Sequence, residues 1–459
     1  MARDLTTGNI KKQLFTLAGP VVGMSLLHHL YSIVDIACLG RLSKEAVAGV
    51  TLISLLQMIT IHAASVITEP LNHFLSFSLG AKNYRQASLW LSRGAFFALC
   101  LGLFIFLIIK ISGAAYITMM VEEEAVRESA LTYLRIVSPV YIFTPLFLVL
   151  GGAIQTDGDT TTPFYISAAT NFLNIFLNIT LIFGLLFFPR LEVAGAALAT
   201  LISRSGAMVA LLSLFIRGFG NLKLIKTSPG EFFKKKDLEK FLKLGIPRAG
   251  NSLLKSVSPA ILMKTAALFG PAVLAAYAIG YRAIFLMMLP ALGLSRAVTS
   301  ISGQSLGSGN KPRSAYSIIK ANSIYLYYAL PVAIFIMLAP GLISGIFTND
   351  NEVAAYTDRF LRFLSVSLLF AMATMSGDQI LSRAGDNVNP MYASFFGNLI
   401  IQTSLAFFLS RYTPLAENGI WIADPFVWIF QSIFLYRILI LGKWKGGKLF
   451  EESEKISCR

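Results

Sequence analysis

The chain of 459 residues is 55% hydrophobic and only 14% charged, with a mean hydropathy of +0.66. Since soluble domains carry about a quarter charged residues, this composition excludes an ordinary soluble protein and indicates one that crosses a membrane several times. The net charge of +15 does not indicate a nucleic-acid partner, because lysine and arginine lie mostly in connecting segments and at the two ends. Cys38, Cys100 and Cys458 show no paired spacing, so neither a disulfide framework nor a metal knuckle is predicted.

Apolar runs between short polar, glycine or proline connections predict an all-α integral membrane protein with about twelve spans. The opening residues lack the features of a cleaved signal peptide, so we expect the first span to be retained. The predicted spans, in chain order, cover residues 14–40, 46–79, 86–113, 126–153, 162–187, 193–217, 239–268, 272–306, 314–346, 353–382, 389–410 and 418–442.

The first span is unusual because it contains a proline and a carboxylate. Pro20 removes a backbone donor and crowds the preceding turn, which predicts a bend early in the helix. His28, Tyr31 and Asp35 are spaced to share one helical face. Because an ionised carboxylate costs about 2.5 to 3.5 kcal/mol at mid-membrane, we expect Asp35 to face protein or water, either as an ion-coupling group or as a hydrated structural one.

One long polar connection, residues 219–238, separates the sixth span from the seventh and includes the run Lys234–Lys236. We interpret it as a solvated cytoplasmic link, with lipid binding or regulation as the alternative. Positive residues concentrate at both ends of the chain and in alternate connections, so the positive-inside rule places both termini in the cytoplasm.

An internal repeat divides the chain into two halves. LAGPVVGMSLL matches LGIPRAGNSLL, which pairs Pro20 with Pro247 at an offset of 227 (247 minus 20). SLGAKN and SLGSGN, YLRIVS and FLRFLS, and GDTTTP and GDNVNP match at the same offset. We therefore predict two six-span lobes, residues 1–218 and 239–459, arranged as parallel repeats around a central cavity that opens to alternate sides.

Ionisable residues inside the spans divide unevenly between the halves. The first half holds Asp35, Glu69 and all four histidines, whereas Asp35 corresponds to Leu262 in the second half. We therefore expect the carboxylate site to belong to one half only, where it would bind a coupling ion. His28, His62 and Glu69 are candidates for a proton relay or gate, with a structural role as the alternative.

The matching spans of the second half instead hold cations, namely Lys255, Lys264, Arg282 and Arg296. We expect Lys255, Arg282 and Arg296 to contact substrate or to form ion pairs between the lobes. The sequence contains no nucleotide-binding loop, metal-ligand cluster or nucleophile with its base, so no cofactor is expected apart from the coupling ion.

The span count, the two halves and the paired motifs SLGAKN/SLGSGN and GDTTTP/GDNVNP resemble the multidrug and toxic compound extrusion (MATE) family over nearly the whole chain. The sequence is most similar to the prokaryotic NorM-like and DinF-like branches, whose first span carries an acidic residue where Asp35 stands. In DinF-like members the cation site also draws on the fifth and sixth spans. The resemblance therefore implies that Tyr31, Asn174, Asn178 and Thr200 join Asp35.

The sequence departs from the family pattern at several positions that bear on ion identity and substrate charge. Asn178 stands where many members have a second aspartate, and Gly152 where an asparagine is common. Lys255 stands where NorM-like members have a glutamate. The glycine-rich run usual in the second span is replaced by TEPLNH.

The resemblance implies a secondary-active exporter of amphipathic cationic small molecules, acting as a monomer in the cell membrane. Inward H⁺ is the expected coupling ion, with Na⁺ at Asp35 as the second choice. One alternative is a flippase of an anionic lipid or lipid-linked oligosaccharide, because Lys255, Arg282 and Arg296 could bind an anionic head group. An alternative of another class is a membrane-embedded enzyme that uses a polyisoprenoid substrate.

Overall fold

A computed structural model describes residues 4–185, 188–225 and 235–441. Residues 226–234 of the link, which include Lys234, and the basic residues Lys443, Lys445 and Lys448 near the carboxyl end lie outside these residues. The described helices, in chain order, are α1 (Ile10–Gly40), α2 (Lys44–Gly80), α3 (Tyr84–Met120), α4 (Glu124–Val137), α5 (Val140–Thr156), α6 (Thr161–Phe183), α7 (Glu192–Arg217), α8 (Lys235–Ala267), α9 (Pro271–Gly307), α10 (Lys311–Leu338), α11 (Gly341–Phe347), α12 (Asn351–Arg383), α13 (Val388–Ser394), a π-helical segment (Phe395–Gln402), α14 (Thr403–Tyr412) and α15 (Asn418–Leu441).

The described residues confirm the predicted all-helical membrane fold. Ten helical stretches are long and apolar enough to cross a membrane, and α4 with α5, bent by 56° at their break, make an eleventh if counted as one span. The seventh predicted span falls on α8, which has 33 residues but is more polar because it includes charged residues such as Lys255 and Lys264.

Two spans predicted as continuous are interrupted at prolines. The span 126–153 breaks between α4 and α5 at Pro139, and the span 314–346 breaks between α10 and α11 at Pro340. Proline has no N–H to donate to the carbonyl four residues earlier, and its ring crowds that carbonyl. By contrast, Pro20 and Pro247 lie inside the unbroken helices α1 and α8, so a bend there stays a prediction.

The paired motifs build the same turns in both halves. Asn83 and Asn310, which are 227 residues apart, each accept a hydrogen bond from the backbone N–H three residues later, at 3.1 and 3.0 Å. Each therefore caps the helix that follows. Gly158 and Gly385, at the same offset, both have positive φ, 89° and 83°, a conformation that favours glycine.

The structure divides into two compact units whose boundaries fall inside helices. Unit 1 contains Gly23–Gly245 with the short start Met1–Asp4, and unit 2 contains Leu5–Val22 with Ile246–Arg459. The first part of α1 therefore belongs to unit 2, and the first part of α8 belongs to unit 1. Each repeat begins its first helix in the unit that does not hold the rest of it.

Two close helix crossings occur where the starts of α1 and α8 pack into the unit that does not hold the rest of the helix. In unit 1, a Cβ added at Gly245 of α8 would lie 1.9 Å from the carbonyl oxygen of Val66 in α2. In unit 2, a Cβ added at Gly293 of α9 would lie 2.8 Å from the carbonyl oxygen of Ala18 in α1. At the offset of 227, Ala18 corresponds to Gly245 and Val66 to Gly293. The same contact is thus made twice, and each copy needs a glycine because two backbones meet there.

The described ends of the link are held against α3 of unit 1. Ser92 Oγ accepts the backbone N–H of Ile225 at 2.9 Å. Farther along, Arg93 pairs with Asp237 at 2.8 Å, and about a tenth of each side chain is exposed. These contacts fix the chain on both sides of residues 226–234.

Candidate ion-coupling site

Asp35 is joined to two asparagines of α6. Asn178 Nδ2 donates to Asp35 Oδ1 at 2.7 Å and to Asn174 Oδ1 at 2.8 Å. Asn174 and Asn178 are one helical turn apart and buried, and Asp35 is half-buried. Within the described part of the chain, Asn178 Oδ1 is buried and has no hydrogen-bond partner. A carboxylate and an unused amide oxygen therefore lie in one cluster.

Tyr31 connects this cluster to α7. It lies one turn before Asp35, and its hydroxyl is placed to hydrogen-bond with Thr200 and Arg204. The Thr200 hydroxyl also lies 3.3 Å from that of Tyr133. The structure thus brings together all five residues predicted for the ion site on α1, α6 and α7.

Arg204 is a functional candidate that the sequence reasoning missed. It is half-buried, one turn after Thr200, and close enough to interact electrostatically with Asp35. It also lines a cavity of about 50 Å³ in unit 1, whose other walls include Phe143 and Phe147. The signal was available in the sequence, because a single arginine inside an apolar run is by default a candidate for function.

The other predicted relay residues lie at different places. The ring of His28 is 6.0 Å from that of Tyr31, which places His28 beside the site. His62 and Glu69 lie on α2, where Glu69 is buried, whereas the hydrogen bond to Asp35 comes from α6. Across the described ranges, no group of three or more His, Cys, Asp or Glu could hold a metal ion.

Unit 2 contains a different polar centre, built around Asp378 of α12. Arg248 Nη1 lies 2.5 Å from Asp378 Oδ1, and Lys255 Nζ lies 2.5 Å from Oδ2. Asn251 Nδ2 also donates to Oδ1, at 3.0 Å. Lys255 therefore forms its ion pair within unit 2. Of the other predicted cations, Arg282 is exposed and Arg296 is half-buried.

A second buried carboxylate of unit 2 is Asp424 of α15, which accepts hydrogen bonds from Tyr281, Ser367 and Gln402. Buried carboxylates inside the spans therefore occur in both units, whereas the expectation that the ion-coupling carboxylate lies in the first half stays a prediction. Asp378 and Asp424 correspond to Gly151 and Ala197 at the offset of 227, so neither carboxylate has a counterpart in the first half.

Two helical repeats that place buried charged groups inside candidate membrane spans are typical of multi-pass membrane transporters. The MatE family model matches residues 20–180 and again residues 247–408, so the two matches begin 227 residues apart. Because they cover well over half of the chain, the protein belongs to the MATE family of transporters.

Similar proteins extend over nearly the whole chain. The "Probable multidrug resistance protein NorM" of Thermotoga maritima is 27% identical over 95% of this chain and 93% of its own length. The "Probable multidrug resistance protein YoeA" of Bacillus subtilis is 26% identical over 91% of this chain and 90% of its own. A crystal structure of a MATE protein in complex with MaD3S superposes with a TM-score of 0.86 at 24% identity, over 96% of this chain and 98% of that one.

Proposed function

We propose that this chain is a secondary-active exporter of small molecules in which Asp35 binds the coupling ion. The observation that carries the proposal is the hydrogen bond between the Asp35 carboxylate and a neutral amide, that of Asn178, at 2.7 Å. Both N–H groups of that amide are used, one by Asp35 and one by Asn174. The names of the NorM and YoeA relatives support multidrug export as the activity.

The geometry favours H⁺ over Na⁺. A proton can add to the second oxygen of Asp35 while Asn178 continues to donate to Oδ1, so protonation leaves the existing hydrogen bonds in place. A hard cation prefers several oxygen ligands. Recruiting Asn178 Oδ1 would require its amide to rotate away from two acceptors. Na⁺ therefore needs a rearrangement that H⁺ does not.

Protonation of Asp35 would change the charge next to Tyr31 and Arg204. An ion shifts a conformational equilibrium only as far as its affinity differs between the two states. We propose that this difference acts through α1, whose division between the units falls shortly after Pro20. Pro20 and Pro247 would then be the positions where α1 and α8 bend.

The proposed substrates are amphipathic and cationic, and the proposed setting is a cell membrane with both termini in the cytoplasm and the chain acting as a monomer. Flippase activity on an anionic lipid is the second candidate. It has less support because Asp378 already balances Lys255 within unit 2. Arg282 is exposed, so in this candidate it is the cation available to bind the anionic head group.

The proposal is tested with purified protein in proteoliposomes, where transport of a cationic fluorescent dye is measured under separately imposed pH and Na⁺ gradients. We expect a pH gradient to drive transport by the unmodified chain and Asp35→Asn to reduce it at least to about one tenth, the effect of losing about 1.4 kcal/mol of coupling. If a Na⁺ gradient alone drives transport, the coupling ion is Na⁺ and not H⁺.

Asp350→Asn is the matched control for this experiment. Asp350 is exposed and caps α12 by accepting the N–H groups of Glu352 and Val353, a role that asparagine also fills. It should transport like the unmodified chain. If Asp35→Asn retains pH-driven transport, the proposed coupling site is wrong. Scrambling of a fluorescent anionic lipid without dye transport would favour the flippase.

A further inference from the structure

Asp424 is held by donors from three other parts of unit 2. Tyr281 Oη of α9 donates to Oδ1 at 2.7 Å, Ser367 Oγ of α12 donates to Oδ2 at 2.7 Å, and Gln402 Nε2 donates to Oδ1 at 3.1 Å. The Asp424 side chain is almost fully buried, with 3% of the residue exposed. The indole of Trp428, one turn later on α15, is placed to donate as well.

All of these partners are neutral. No ion pair within the described ranges includes Asp424, whereas Asp378 has both Arg248 and Lys255. On α9, Tyr281 and its neighbour Tyr277 interact electrostatically with Asp424, and both are neutral in the form that donates hydrogen bonds. A buried carboxylate without a cation is unfavourable in its charged form because it has lost its hydration, so hydrogen bonds alone stabilise the charge of Asp424.

We propose that Asp424 is a second proton-binding site, located in unit 2, whose protonation is transmitted to α8 through Gln402 and Ser258. Binding of the proton does not depend on the export proposed above; its contribution to transport does. In the described arrangement the carboxylate only accepts hydrogen bonds, as an ionised group must.

Adding a proton to Oδ1 converts that oxygen into a donor, which then needs an acceptor. Rotation of the Gln402 amide supplies one, because it turns Oε1 toward Asp424 and Nε2 toward Ser258. In the structure, before any rotation, Ser258 Oγ lies 2.6 Å from Gln402 Oε1 and 3.0 Å from the carbonyl oxygen of Asn398. After the rotation Ser258 accepts from Gln402 and donates to Asn398. Every polar group keeps a partner, and the proton is sensed on α8.

The chain around Gln402 is suited to such a change. Gln402 is the last residue of the π-helical segment Phe395–Gln402, which also carries the Asn398 carbonyl. π-Helical turns inside α-helices occur frequently at functional sites. The groups that would exchange hydrogen bonds therefore lie on the one described segment that departs from α-helical geometry in this way.

The test is an infrared titration of the full chain in lipid nanodiscs, in which the carbonyl band of protonated carboxyl groups is followed as the pH is lowered. We expect one component of that band to disappear in Asp424→Asn and to persist in Asp35→Asn. Ser432→Ala is the matched control, because Ser432 is a buried hydroxyl of the same helix that donates to the Ile429 carbonyl. A band in Asp424→Asn identical to that of the unmodified chain would overturn the proposal.

Two further variants keep the test decisive if Asp424→Asn does not fold. Tyr281→Phe and Gln402→Leu each remove one donor to the ionised carboxylate. The pH at which half of that infrared component has appeared should therefore rise, by roughly a tenfold change in proton concentration. Tyr328→Phe, which removes a hydroxyl that donates to the Met287 carbonyl, should leave it unchanged. Equal midpoints in all three variants would also overturn the proposal.

The contribution to transport has its own measurement, the number of protons moved per dye molecule. We expect that ratio to fall in Asp424→Asn while pH-driven transport remains. An unchanged ratio together with loss of the infrared component would retain the binding site and overturn its role in coupling. The infrared result requires neither dye transport nor a particular outcome for Asp35→Asn, so failure of the binding proposal and failure of the export proposal can be distinguished.

Discussion

Asp35 of unit 1 and Asp378 of unit 2 are both carboxylates inside helices, but their partners differ in charge. Asp35 accepts a hydrogen bond from the neutral amide of Asn178, whereas Asp378 lies 2.5 Å from both Arg248 and Lys255. Removing the charge of Asp378 would take away the carboxylate that both cations contact, of which Arg248 is buried and Lys255 is partly exposed. The charge of its partners therefore bears on whether a membrane carboxylate can change charge during a transport cycle.

The largest effect should come from Asp378→Asn. Breaking a buried ion pair by removing one partner costs about 3 to 5 kcal/mol, because an uncompensated charge remains. We expect the free energy of unfolding in detergent to fall by about that amount, as measured by denaturant titration. Asp35→Asn, which removes a charge held by a neutral amide, should cost much less. If both variants lose the same free energy of unfolding, the two carboxylates do not differ in the way that their partners imply.

The exchanged helix starts can be tested at their crossings. Gly245→Ala places a Cβ 1.9 Å from the Val66 carbonyl oxygen, and Gly293→Ala places one 2.8 Å from that of Ala18. Overpacking of this kind costs about 1 to 3 kcal/mol, and we expect Gly245→Ala to lie at the upper end in denaturant titration.

Gly206→Ala in α7 is the control for the crossings, because nothing lies within 4 Å of the added Cβ. Since alanine favours a helix by about 1 kcal/mol over glycine, Gly206→Ala should be neutral or stabilising. If all three alanine variants unfold alike, the backbones do not meet closely at Gly245 and Gly293.

A smaller effect is expected from Asp157, a carboxylate that follows α5 outside the spans and, like Asp35, has a neutral partner. Asn221 donates to it from its backbone N–H at 3.0 Å and from Nδ2 at 2.9 Å. Burial raises the pKa of Asp157 from 3.8 to about 6, against the opposing effect of these hydrogen bonds.

Because the pKa of Asp157 is raised in the folded state, the folded state binds the proton more tightly than the unfolded state does. Its contribution to stability is full below about pH 4 and is lost as the pH rises through about 6. Hydrogen exchange at the Asn221 amide should show this dependence, and Asp157→Asn should remove it. A pH profile that is the same in both proteins would contradict the assignment.

Much of the fold was predictable because its signals are local and repeated. Apolar length gives the spans, and the 227-residue offset gives the paired turns at Gly158 and Gly385. The breaks at Pro139 and Pro340 were missed because the surrounding apolar runs continue through them, although proline in a helix is itself a signal. The π-helical segment has no comparable pattern in its sequence.

The candidate sites were predictable only in part. Asn174 and Asn178 came from the resemblance to a family rather than from spacing. Asp424 and Arg204 were missed although each is an isolated charge in an apolar run, because neither has an ionisable counterpart at the offset of 227. The partners of Asp378 could not be deduced, since Arg248 and Lys255 precede it by more than a hundred residues and only the tertiary packing joins them.

The crossings at Gly245 and Gly293 have a consequence for how such a molecule is assembled. A fragment ending in the link would lack the beginning of α8 that completes unit 1, and would carry a beginning of α1 whose place is in the missing fragment. Neither repeat is therefore self-sufficient, and an experiment that divides the gene must co-express both pieces. If the repeat arose by duplication, an ancestor of half this length would have met the same requirement as a dimer, in which the start of each copy's first helix packs into the other copy.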